Sequence, residues 1–359
     1  MSDFVVNALS IDLEDWYHIC GLEHLEKLDK CSDSNDRLGK NVENILFLLK
    51  QYDIHATFFV VGSIAKDVPG LIKRIADAGH ELAAHGFSHH RIFDMTPEEF
   101  EEDLLRTKVA IEDAIGKKIS GYRAPEWSLK KTNVWALDIL KKHGFSYDAS
   151  AVPLSHLGGK YFNFYPYEIK TKYGNIFEFP LSTFRCLWDR LPFSGGLPMR
   201  ITPYFFIFDC TKMINNLGYP VIFYLHPWEF DSDQVKINLP INRHFMRYCN
   251  LESTEKKTRL LLEHFEFTTV EEVFGLSKAN RRKSSFRSKD YKCYDVAYFK
   301  SVVLTAILIM GIFVIIFGLV FLMKQYAFLL VIIMLTIFYW PWGLLFNKGN
   351  LFAKCGAIK

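Results

Sequence analysis

"FVVNALSIDLEDW", Phe4 to Trp16, starts as an apolar strand candidate and ends with Asp12, Glu14 and Asp15 inside four residues. A strand whose C-terminal end breaks into polar groups suits a parallel sheet, where the connecting loops converge on that edge and carry the chemistry. The same pattern recurs downstream. "HATFFVVG" is a second strand, and "HELAAH" a third that runs into His85 and His89. "KISGYRAP" passes Arg123, "FSYDAS" passes Asp148, and "YPVIFYLHP" closes on His226. Helical patterns lie between them. "NVENILFLLKQY" has apolar residues at Val42, Ile45, Leu46 and Leu49, "VPGLIKRIADAG" closes on Gly79, and "TNVWALDILKKHG" closes on Gly144. "TPEEFEEDLLRTKVAIEDAIG" opens with Thr96 at the cap and Pro97 at the first helical position. A less regular insertion runs from about Val152 to Pro203, and a final helix is expected over Ser253–His264. Repeated β-α units predict an α/β fold with a parallel sheet, open or closed into a barrel.

Composition narrows the class. Half of the 359 residues are hydrophobic and 16% are aromatic, enough for a sizeable core and too apolar for a disordered chain. The 7 cysteines are scattered and odd in number, without a C-x-x-C pair; they form neither a disulfide framework nor a zinc ribbon and fit a reducing compartment. Net charge is +3, yet Lys278 to Lys292 alone holds seven basic residues against one acid, Asp290. The rest of the chain is therefore slightly acidic and offers no nucleic-acid footprint. There is no phosphate-binding glycine loop; "FSGG", Phe193 to Gly196, reads as a turn.

Two uncharged runs follow the basic stretch. "SVVLTAILIMGIFVIIFGLVFLM", Ser301 to Met323, and "YAFLLVIIMLTIFYWPWGLLF", Tyr326 to Phe346, are separated by Lys324 and Gln325. Each is long enough to cross a hydrocarbon layer of about 30 Å, and Trp340 and Trp342 suit an interfacial belt. The expected organisation is a catalytic domain over 1–275, a basic juxtamembrane linker over 276–298, two transmembrane helices within 299–346, and a basic tail over 347–359. The opening residues lack the basic n-region of a signal peptide. With basic residues flanking the hairpin on both sides, the positive-inside rule puts the N-terminal domain on the cytoplasmic face of the membrane.

The strand-end residues define a chemistry. "AAHGFSHHRI" sets His85 and His89 four apart, a spacing that on a helical turn aims both rings to one side. Two imidazoles and a carboxylate can hold a divalent metal, leaving a spare carboxylate and a spare histidine for general base and general acid, the inventory of metal-assisted hydrolysis. His90 reads as a loop residue.

Five motifs in chain order make the sequence resemble the polysaccharide deacetylase family with the NodB homology domain, carbohydrate esterase family 4, over roughly residues 4 to 270. They are "SIDLEDW", "HGFSHH", "GYRAPEWS", "YDAS" and "YLHPWEFD". "DLEDWYH", "FSGG" and "LHPWEFD" resemble more closely the subgroup found in exopolysaccharide loci. The resemblance implies an irregular (β/α) barrel of the NodB type and removal of N-acetyl groups from an amino sugar of a polysaccharide or lipid-linked saccharide. It implies Asp12 as general base, His85 and His89 as metal ligands, and Arg123 as the group orienting Asp12. His226 would be the acid that protonates the leaving amine, with Asp148 tuning it, and Trp127 and Leu225 would shape an apolar pocket for the acetyl methyl. Where the family has adjacent aspartates this chain has Asp-Leu-Glu-Asp, and strand alternation favours Glu14 over Asp15 as third ligand. The expected cofactor is one divalent ion, Zn2+ by donor set, which would bring the pKa of its water toward about 7 and polarise the amide. The expected partners are an N-acetylated saccharide, in polyprenyl-linked form, and membrane lipid. Two other readings remain open at this point: another C–N hydrolase on the same scaffold, and a non-catalytic membrane-anchored polysaccharide-assembly protein. A channel or transporter is poorly served by two helices without intramembrane charge.

Overall fold

Residues Asn7–Leu13 form β1, and all seven of its side chains are buried. A strand covered on both faces needs apolar residues at nearly every position, which is what a parallel sheet between two layers demands. The computed structural model describes residues 5–18, 34–154, 161–186, 189–234 and 236–276. The expected linker, transmembrane hairpin and tail lie outside them. Every described residue falls in the first of the two units into which the chain divides, Met1–Lys289.

From β1 the sheet grows in both directions. On one side β10 (Ile222–Leu225) pairs with it in parallel, Ser10 opposite Tyr224 and Ile11 opposite Leu225. On the other side follow β2 (Thr57–Val60), β3 (Glu81–Ala84), β4 (Gly121–Tyr122) and β5 (Tyr147–Asp148), all parallel. Next come β7 (Gly174–Glu178), parallel to β5, and β6 (Tyr167–Thr171), which turns back antiparallel on β7. β11 (Phe267–Thr268) pairs with the start of β1. The order β10-β1-β2-β3-β4-β5-β7-β6 leaves two free ends, so the structure is an open α/β half-barrel, not a closed barrel.

Alternation along β1 divides the interior. Leu9, Ile11 and Leu13 turn toward the helices, joining Phe58, Val60, Leu82, Ala84, Phe223 and Leu225 in the main core. Val42, Ile45 and Leu49 of the Ser34–Gln51 helix, Leu71, Ile72 and Ile75 of Pro69–Asp77, and Phe100, Leu104 and Ile111 of Pro97–Ile115 complete it. At about 1.5–3 kcal/mol for each fully buried large apolar side chain, this layer supplies much of the favourable term in folding. Helix Pro97–Ile115 starts as read from sequence: the Thr96 hydroxyl accepts the Glu99 N–H, the Glu99 carboxylate accepts the Thr96 N–H, and Gly116 ends it at φ 67°.

The insertion between β5 and β10 is more regular than its composition suggested. It holds the β6–β7 hairpin and a separate two-stranded sheet, β8 (Thr183–Cys186) with β9 (Asp189–Pro192). The turn after it is the "FSGG" stretch. A Cβ on Gly195 would lie 2.2 Å from the Tyr224 ring and 2.3 Å from its carbonyl oxygen, so only glycine lets this segment lie against β10. Among the described residues no helix is long and apolar enough to cross a membrane.

Candidate active site

The second face of β1 carries Ser10 and Asp12, and both meet one buried cation. Arg123, which follows β4, is fully buried; its Nη1 donates to Asp12 Oδ1 at 2.6 Å and to Ser10 Oγ at 2.8 Å. Its Nε donates to the Ala149 carbonyl at 3.1 Å, and its guanidinium lies over the Phe59 and Trp127 rings. A charge so deeply enclosed is tolerable because it is paired, bonded and stacked at once. Arg123 thus fixes the position of the Asp12 carboxylate.

His85, His89 and Glu14 converge. One ligand atom from each lies within 4.8 Å of the others, and all three residues are buried. The segment that achieves this is a loop, not the helical turn expected from the i, i+4 spacing: Gly86 has φ 71° and His89 itself φ 55°. A non-glycine residue in the left-handed region is strained, and such strain concentrates where a site needs a side chain aimed. Asp103, on helix Pro97–Ile115, holds the loop by accepting the N–H groups of Phe87 at 2.8 Å and Ser88 at 3.3 Å. Sequence reading missed Asp103, since a lone acid on a charged helix face gives no signal.

The donor set fits a metal. His85 Nδ1 is 2.9 Å from the Arg123 carbonyl, which can only accept, so the proton sits on Nδ1 and the lone pair on Nε2. Burial, reinforced by His89, pulls His85 down to about 4, and it is therefore neutral at ordinary pH. Burial alone would raise the Glu14 carboxyl, but His89 and His226 override it and hold Glu14 well below the usual range. Glu14 Oε2 lies 2.8 Å from His89 Nε2, and this contact raises His89 against the pull of burial. Asp15 faces elsewhere: its Oδ1 accepts the Trp16 N–H at 2.7 Å, and its own N–H donates to His18 Nδ1 at 2.9 Å. Of the two carboxylates considered for the third position, Glu14 is the one in the cluster.

His226, just after β10, closes the site. Its Nε2 is 3.0 Å from Glu14 Oε1 and 3.9 Å from Asp12 Oδ2, and its Nδ1 is 3.0 Å from Glu229 Oε2. Burial would depress the ring, yet Glu14 and Glu229 together raise it to about 10. The carboxylate behind His226 is therefore Glu229, not Asp148. Asp148 accepts the Ser150 hydroxyl at 2.6 Å and pairs with buried Glu178, with burial raising both carboxyls, so this pair keeps a proton and braces the end of β5. Glu229 stood in plain sight in "LHPWEFD", three residues after His226 on a short helical turn, Pro227–Phe230. Beyond it lies buried Arg200, whose Nε makes a 3.0 Å ion pair with Glu229 Oε1.

The apolar wall also differs by one residue from expectation. Leu225 pairs with Ile11, shares its orientation and belongs to the helix-side core. Tyr224, opposite Ser10, faces the cleft, where its ring meets Trp127 edge-on at 5.1 Å between centroids. Val152, Leu154 and Leu181 complete that cluster. Alternation along β10 turns Tyr224 toward Trp127 in the cleft and Leu225 away from it.

Comparisons with known proteins bear on the fold and the family of the domain. The polysaccharide deacetylase profile matches residues 30–147, and a domain of unknown function, DUF3473, matches residues 149–275. A peptidoglycan deacetylase of Helicobacter pylori is 40% identical over 110 residues, 30% of this chain and 36% of that protein. The peptidoglycan-N-acetylmuramic acid deacetylase PdaA of Bacillus subtilis is 33% identical over 94 residues, 24% of this chain and 36% of that protein. The matches thus span about a third of each relative's length. In three dimensions the chain resembles a Mycobacterium smegmatis protein assigned as a polysaccharide deacetylase, with a TM-score of 0.52 and 18% identity over 81% of this chain and 96% of that one. Residues 30–147 thus match the polysaccharide deacetylase family, and the open α/β half-barrel is similar in fold to the Mycobacterium smegmatis protein.

Proposed function

We propose that this chain is a metal-dependent N-deacetylase acting on an N-acetylated amino sugar. One observation carries the reading: Asp12, backed by Arg123, and His226, backed by Glu229, flank the Glu14–His85–His89 cluster within a single buried site. Glu14, His85 and His89 would hold one divalent ion, and two nitrogens with one oxygen favour zinc. Such an ion, when bound, polarises the amide carbonyl and acidifies water. Asp12 accepts the water's proton, its carboxylate fixed by the Arg123 guanidinium. His226 arrives protonated, held so by Glu229, and delivers that proton to the amide nitrogen as the C–N bond breaks, because an amine leaves poorly as an anion. Trp127 and Tyr224 give the acetyl methyl an apolar wall. A non-catalytic relative would be expected to have lost part of this set; here both the ligand cluster and its two flanking groups are intact.

The substrate we favour is a saccharide carried on a polyprenyl lipid, in keeping with the exopolysaccharide-type wording of "DLEDWYH" and "LHPWEFD" and with the two uncharged runs after residue 300. The catalytic domain would then work at the cytoplasmic face of the membrane, with Lys278 to Lys292 against anionic headgroups at about 1 kcal/mol per basic side chain. Mass-resolved acetate release from lipid-linked amino sugars, with and without chelator, tests the reaction; N-acetylated peptidoglycan fragments serve as the competing substrate. Chelator-insensitive release rejects the metal, and preference for the peptidoglycan fragments rejects the lipid-linked substrate. Labelling of Lys278 to Lys292 by an impermeant reagent applied outside intact cells would reverse the topology.

A further inference from the structure

The helix Ile241–Tyr248 presents large apolar side chains to solvent. Ile241 is 89% exposed, Phe245 53% and Met246 50%, and Ile241 and Phe245 stand four apart on one helical face. Ile201 and Phe205 are also exposed, on the segment that Arg200 ties to the end of this helix. Arg200 Nη1 donates to the carbonyls of Arg247 and Cys249 at 2.8 Å, and Nη2 to that of Met246 at 2.5 Å. An apolar surface held this firmly is built to be covered.

Charge indicates the occupant. From Lys236 to Asn250 the chain has no acid; Lys236 is exposed and Arg243 partly so, while Arg247 is buried. A second copy of the chain meeting this face across a twofold axis would oppose like charges. An anionic bilayer matches both halves of the pattern, apolar residues for the acyl boundary and basic ones for the phosphates. A bilayer is also what the remaining sequence calls for, since the uncharged run at Ser301 begins 25 residues after the last described residue, Leu276.

We infer that helix Ile241–Tyr248 is an interfacial anchor whose Ile241, Phe245 and Met246 enter the headgroup–acyl boundary of an anionic membrane. The anchor connects directly to the catalytic cleft. The Arg247 guanidinium lies 4.6 Å over the Trp228 ring, Trp228 stacks on His226 at 5.0 Å between centroids, and Arg200 bridges the helix end to Glu229. Docking through this helix sets the His226 side of the site at the lipid surface.

Photocrosslinking of the full-length protein in vesicles tests this without reference to turnover, so its failure would leave the deacetylase reading untouched. The photoreactive residue p-benzoylphenylalanine replaces Phe245 in one preparation and Phe47, 62% exposed on helix Ser34–Gln51, in another. Both positions are at the surface, so neither change touches the core. In phosphatidylglycerol–phosphatidylcholine vesicles, position 245 should give several-fold more lipid adduct than position 47, and the excess should fall in pure phosphatidylcholine and at high salt. Equal lipid yields at the two positions would overturn the assignment, as would protein–protein adducts replacing lipid adducts at position 245.

Discussion

Glu229 and Glu14 grip the imidazole of His226 from opposite sides, Glu229 Oε2 3.0 Å from Nδ1 and Glu14 Oε1 3.0 Å from Nε2. If Glu14 holds a metal as proposed, Glu229 is the carboxylate left to keep the ring charged. Against burial, which favours the neutral ring, the two carboxylates raise His226 to about 10, so its proton is present at neutral pH and lost only in strong alkali. In Glu229→Gln the charged ring loses its partner, and the alkaline limb of the kcat profile should move down by roughly one to three pH units. Metal content should not change. An unshifted limb would remove Glu229 from the acid's machinery.

Metal content separates two neighbouring histidines. His89→Ala should lose most of its bound ion, because it deletes one of the three proposed ligands, while His90→Ala, at an exposed loop position, should retain it. Glu14 raises His89, so protons compete with the ion for this ring and affinity should fall as pH falls. Metal analysis after dialysis across a pH series measures both effects. Equal metal in the two variants rejects the ligand assignment.

Asp12→Asn should keep the metal and lose turnover by about 10²- to 10⁴-fold, the usual contribution of a positioned base. Arg123→Met, by contrast, leaves the Asp12 carboxylate buried without its cation, and should cost about 3–5 kcal/mol of stability. Removing either partner breaks the buried pair, so single-turnover rates on folded Asp12→Asn carry the test: near-normal turnover would make Asp12 a structural partner and not the base.

These residues also mark how far the sequence could be read. The strand ends were legible because apolar runs broken by Asp12, His85, Arg123 and His226 have no other economical explanation in a parallel sheet. The pairing of Arg123 with Asp12 was legible only through the family resemblance, since 111 residues separate them. What escaped was local geometry. Helical spacing between His85 and His89 was realised by a loop with left-handed backbone, which periodicity cannot distinguish from a helical turn. Strand-end position points to Asp148, whereas the group at His226 Nδ1 is its i, i+3 neighbour Glu229. Leu225 was assigned to the cleft although the register against Ile11 turns it away, and register is a property of the assembled sheet.

Glu81 provides a test of stability far from the proposed chemistry. It sits at the entry end of β3, partly buried, accepting hydrogen bonds from Thr57 Oγ1 at 2.5 Å, the Tyr147 hydroxyl at 2.6 Å and the Glu271 N–H at 3.1 Å. Burial outweighs these three donors, the Glu271 carboxylate adds repulsion, and the carboxyl is pushed up to about 7. Because the folded value lies above the unfolded one, the folded state binds the extra proton, and stability falls with rising pH between them. The contribution is fully present below about pH 4.5 and lost as pH passes through about 7, a loss of about 3 kcal/mol by the equivalence of pKa units and free energy. Glu81→Gln has no proton to lose. Its urea-unfolding free energy should gain on that of the unsubstituted protein by up to about 3 kcal/mol between pH 5 and pH 8. Parallel stability curves for the two proteins across that range would show that Glu81 ionises without penalty, and that water reaches the entry end of β3.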